Sequence, residues 1–95
     1  MPKKFIYKPP REVTAQQWLP DSRSAVSDMV DWLMSYGKPF RIRMNDNKEQ
    51  VLEFQSRDGD EFDQSLWPGE WLVKEGPGAW ASWEDSSFKA NHDKK

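Results

Sequence analysis

One stretch limits what this chain can fold into. Set about 100° apart, the residues between Pro20 and Pro39 separate into two arcs. Ala25, Val26, Met29, Val30, Trp32, Leu33 and Tyr36 share one side, and Ser24, Ser27, Asp28, Asp31 and Ser35 share the other. Met34 is the one apolar residue off the stripe. A two-sided helix has to lay its apolar side on another element, and a sheet is the natural partner here. Asp21 or Ser22 is placed to cap the first turn through a side-chain oxygen. Gly37 suits the left-handed position just past the last turn, and Pro39 blocks continuation. The helix is predicted over about residues 22–36.

Around it the pattern changes to strands and turns. Val13, Thr14 and Trp18 make residues 12–18 a first strand, which Pro20 ends. Residues 40–44, Phe-Arg-Ile-Arg-Met, alternate strictly, which predicts one buried face made of Phe40, Ile42 and Met44. The cluster Asn45-Asp46-Asn47-Lys48 turns the chain into a returning strand at 51–54. Pro68-Gly69 fits the centre of a type II turn, since proline presets φ and glycine accepts a positive one. A strand then starts near Glu70, and Gly76-Pro77-Gly78 turns it into Ala79–Trp83. Asp85 is placed to cap a short turn that carries Phe88. The expected fold class is α+β: a curled antiparallel sheet of four to five strands with one main helix packed on it. The expected organisation is a single domain over 1–95. Residues 1–10 form an extended arm because of Pro9 and Pro10, with 5–7 able to pair at a sheet edge, and 90–95 form a disordered tail.

Composition narrows the function classes. Only 36% of the residues are apolar, but six of the 95 are tryptophan, so the expected core is thin and built from few large side chains. Net charge is −2 at pH 7, without the basic excess usual in a general nucleic-acid binder. With no cysteine, disulfides and thiolate metal sites are excluded. No apolar run approaches the ~20 residues that span a bilayer, and the first residues show no signal-peptide pattern. The expectation is a cytoplasmic protein.

No residue pattern points to catalysis. The single histidine, His92, falls in the expected tail, where nothing would position an imidazole. Asp58, Asp60, Glu61 and Asp63 form an acidic cluster that reads more simply as a solvated loop than as a cation site. No metal, cofactor or enzymatic activity is expected. Arg41 and Arg43 project opposite Phe40, Ile42 and Met44, and with Lys48 and the arm lysines Lys3, Lys4 and Lys8 they offer an anionic-ligand surface. Trp18, Trp32 and Trp71 fall on apolar faces. Trp80 and Trp83, three apart in a strand, point to opposite faces, and Trp67 precedes a turn. Each of Trp67, Trp80 and Trp83 has two readings, core or interface anchor, and at least one is hard to bury in so small a domain.

Two short motifs carry a resemblance. Val13-Thr14-Ala15-Gln16-Gln17-Trp18 resembles a valine-glutamate-alanine-valine-glutamine-tryptophan first strand. Pro68-Gly69-Glu70-Trp71-Leu72-Val73-Lys74-Glu75-Gly76, followed by Ala79-Trp80 and a late aromatic at Phe88, resembles a later proline-glycine-aspartate-tryptophan segment. Both patterns occur in small bacteriophage proteins of unknown function. Thr14, Gln16 and Glu70 depart from them. The resemblance implies phage origin and an accessory role inside an infected bacterium. It transfers no catalytic residue. The aromatic residues make non-catalytic binding to a host or phage protein the first expectation. The residues expected to bind are Trp67, Trp80, Trp83, Arg41 and Arg43. The alternative is a nucleotide or nucleic-acid module in which Arg41, Arg43 and the basic arm meet phosphate while a tryptophan stacks. Self-association through an open sheet edge is compatible with either.

Overall fold

The predicted helix runs over Arg23–Ser35 and forms α1. Ser22 caps it, its hydroxyl accepting from the Ala25 N–H at 3.3 Å. At the far end Gly37 takes φ of 62°. The N–H groups of Lys38 and Gly37 then close back on the Leu33 and Met34 carbonyls, which satisfies two acceptors of the last turn. Met29, Trp32 and Leu33 are buried, whereas Met34, off the stripe, is exposed.

The computed structural model describes residues 2–7, 11–57, 61–76 and 78–94. Strands β1 (Lys3–Tyr7) and β2 (Arg11–Gln17) precede α1. They are followed by β3 (Phe40–Met44), β4 (Gln50–Phe54), β5 (Gln64–Leu66), β6 (Trp71–Gly76), β7 (Ala79–Trp83), helix α2 (Asp85–Asn91) and β8 (His92–Lys94). The fold is α+β with one main helix, as expected, but the strands form two antiparallel sheets. One has the order β7-β6-β2-β1-β8 and the other β3-β4-β5. An isolated bridge from Arg57 to Ala79 links the chain leaving β4 to the start of β7.

Register assigns the two faces of the larger sheet. Ala15 pairs Val73, and Trp71 pairs Trp83. Those residues, with Phe5 and Val13, face α2 and pack around Phe88. The opposite face presents Leu72 and Trp80 to α1 and to Leu52, Phe54 and Leu66 of the smaller sheet. Trp18 ties the layers together. It is fully buried, its backbone bonds to Gly69 and Glu70, and its indole N–H donates to the Gln50 carbonyl at 2.8 Å. The turn at Pro68-Gly69 forms as predicted, with Gly69 at φ 90° and the Glu70 N–H bonded to the Trp67 carbonyl at 3.0 Å.

Three expectations are corrected. Lys3–Tyr7 is no arm at an edge: β1 lies between β2 and β8, because Phe5 is needed in the cluster around Phe88. Lys8, Pro9 and Pro10 lie outside the described residues. The expected disordered tail instead completes α2 and pairs with β1 as β8. His92 is 5% exposed there, its ring stacked on Phe88 at 4.2 Å and edge-on to Trp83 at 4.9 Å. Its Nδ1 lies 3.0 Å from the Phe88 carbonyl oxygen. Finally, β3 does not bury its apolar face. Phe40 packs against the core, but Ile42 is 40% and Met44 60% exposed, because β3 is an edge strand whose far end runs beyond the cluster.

Candidate functional site

The outer face of the three-stranded sheet gathers three of the five residues singled out in the sequence. Arg41 pairs with Glu53, and Glu53 with Ser65; Arg43 pairs with Val51. Trp67 follows directly on β5, and the Leu52–Leu66 register carried on by one residue sets it beside Val51. The side chains of Arg41, Glu53 and Arg43 alternate with the core residues Leu52 and Phe54, so they point away from α1.

Glu53 organises this face. Its Oε1 accepts from Arg41 Nε at 2.6 Å, and its Oε2 lies 3.4 Å from Arg43 Nε. The carboxylate is largely buried, whereas the arginine side chains remain 61% and 50% exposed. The Arg41 hydrogen bond holds the Glu53 carboxyl below the usual glutamate range, against the opposing effect of burial. Arg41 also lies over the Phe62 ring at 4.9 Å. Two cations share one anion, which holds both arginines in a fixed geometry. Glu53 was missed in the sequence. The hairpin turn at Asn45–Lys48 contained the signal, since counting outward from it sets Glu53 opposite Arg41.

Trp67 is 43% exposed. Its backbone is pinned, because its N–H donates to Glu70 Oε1 at 2.7 Å while its carbonyl closes the turn. The indole therefore stands at the surface on a rigid base. Below Arg41 the surface dips into a groove lined by Arg41, Gln55, Glu61 and Phe62.

The other two residues lie elsewhere. Trp80 is 4% exposed and packed against Trp32 at 5.1 Å and Tyr36 at 5.8 Å, so no partner reaches it without unfolding. Trp83 is half-buried on the opposite face of the larger sheet, paired with Trp71 and beside His92. Lys3 and Lys4 lie on β1, two strands further than β6 from the smaller sheet, and Lys4 sits 3.6 Å from Glu12. They do not join the arginine patch.

A second polar knot supports α2. Asp85 Oδ1 accepts from the Trp71 indole N–H at 2.8 Å and from Gln17 Nε2 at 3.4 Å. The indole bond, then Lys89, lowers the Asp85 pKa. Across the core, the Ser56 hydroxyl and backbone N–H both donate to the Asp63 carboxylate, which lowers its pKa. Asp58 and Asp60 lie outside the described residues. Among the described residues no group of three or more histidine, cysteine or acidic side chains is placed to hold a metal. No helix among them is long and apolar enough to cross a membrane.

No family model matches the chain, and no curated protein or solved structure matches it.

Proposed function

We propose that this chain works by non-catalytic binding and docks on a protein through the outer face of the three-stranded sheet. The observation that carries this reading is Trp67, an accessible indole on a pinned backbone, which the register of β4 and β5 sets on the face of Arg41 and Arg43. Tryptophan and arginine are the residue types that most often dominate binding energy when a partner desolvates them. A tryptophan on a fixed backbone has only two side-chain torsions to lose on docking, so its ordering costs little. Glu53 holds the arginines in place, so their charge can orient a partner and speed encounter. The resemblance to small phage proteins gives this activity its setting: an accessory factor in the cytoplasm of an infected bacterium, acting on a host or phage protein.

The nucleic-acid alternative draws less support. The lysines of β1 lie on a different surface, so Arg41 and Arg43 gain no further basic side chains from that strand. The test is capture from bacterial lysate with the tagged protein. One stoichiometric protein retained by the wild type and by Trp83→Phe, and lost with Trp67→Ala, is the expected result. Retention that ignores Trp67 would refute the assignment of this face.

A further inference from the structure

The open edge of β3 bears on how a partner is held. The Asn45 N–H bonds to the Glu49 carbonyl at 2.9 Å, so Asn45 faces the returning strand. Backbone groups alternate along an antiparallel pair. Arg43 and Arg41 therefore also face β4, and the N–H and C=O groups of Ile42 and Met44 point out of the sheet. Ile42 and Met44 are also the residues whose apolar side chains are exposed. Edge donors, edge acceptors and an apolar strip thus coincide, which is the arrangement that accepts an added strand.

Charge decides what that strand can be. In an antiparallel pairing with a second copy, setting Ile42 against Ile42 places Arg41 opposite Arg43. Setting it against Met44 places Arg43 opposite Arg43, and setting it against Phe40 places Arg41 opposite Arg41. Like charges directly across a pair are destabilising. Each arginine meets Glu53 through Nε only, and half or more of each side chain is exposed, so both can take a further carboxylate.

Resting on the binding reading above, we infer that β3 accepts an extended partner segment in which apolar and acidic residues alternate. The apolar residues cover Ile42 and Met44, and the carboxylates meet Arg41 and Arg43. The edge recognises this chemistry and disfavours its own copy.

The test titrates two short capped peptides into the protein while backbone amide signals are followed by NMR. One alternates valine with glutamate; its twin carries lysine for glutamate. The expected result is that the glutamate peptide shifts the Ile42 and Met44 amides and slows their hydrogen exchange. It should bind about tenfold more tightly than the lysine peptide. Ile42→Pro should remove binding, since it deletes an outward N–H while leaving the bonds to β4, and proline is tolerated at such edge positions. Should that variant not fold, Arg41→Ala/Arg43→Ala must erase the preference for glutamate. Equal binding of the two peptides, or no change at Ile42 and Met44, overturns the proposal. The two readings fail separately. Partner capture that needs Trp67 but survives Ile42→Pro removes strand addition alone, whereas capture indifferent to Trp67 removes the binding face.

Discussion

Trp80→Ala and Trp67→Ala should differ sharply in their effect on stability. Trp80 is 4% exposed and lies against Trp32, Tyr36 and the aliphatic core of both sheets. Truncating a buried tryptophan costs about 3–5 kcal/mol, from lost transfer energy and the cavity left behind. The higher end applies here, because Trp80 is enclosed by the core cluster, whose packed side chains cannot all collapse into the cavity. For a domain of this size each kcal/mol moves the midpoint by about 4–8 °C, so Tm should fall by roughly 16–40 °C. Total stability of such domains is about 5–15 kcal/mol, so the variant should be marginal at room temperature. Trp67 is 43% exposed and its fixed contacts are through the backbone, which survives substitution. Its truncation should cost about 1 kcal/mol or less. Urea and thermal unfolding followed by far-ultraviolet circular dichroism measure both. Equal losses in the two variants would refute the division of these tryptophans between core and surface.

Two further outcomes follow from the packing and the charges. Glu53, Asp63 and Asp85 all have lowered folded-state pKa values. Each therefore adds stability that is fully present above its unfolded value of about 4 and is lost as pH falls through the folded value. Asp85→Asn, which keeps an acceptor for Trp71, should be less stable than wild type near neutrality, and the gap in urea midpoint should close toward acid; a gap constant with pH would contradict this. Removal of residues 92–95 should cost about 2 kcal/mol or more, because it strips a buried ring from Phe88 and leaves one edge of β1 unpaired. The same truncation should raise dye binding to exposed apolar surface, and an unchanged midpoint would mean the segment is a passive tail.

What could be read from the sequence was local. The α1 caps, the Pro68-Gly69 turn and the opposite directions of Trp80 and Trp83 each follow from a few adjacent residues and appear where expected. What could not be read depended on distant residues. Alternation in Phe40–Met44 gave the direction of the apolar side chains but not their depth, which the end of the core cluster sets. Residues 92–94 look like a polar tail until Phe88 and β1 offer His92 a stacking partner and its backbone a strand to join. For the site, Arg41 and Arg43 were legible as outward charges and Trp67 as an aromatic before a turn. Their sharing of one face depends on the register of three strands, and that register also brings in Glu53.

The most direct test of the binding face is the affinity of the captured protein, once purified, for wild type and Trp67→Ala, measured by titration calorimetry. An anchor of this kind is worth about 2 kcal/mol, so Kd should weaken by about thirtyfold while the urea midpoint moves little. A Kd that stays the same in a folded Trp67→Ala variant would contradict the account.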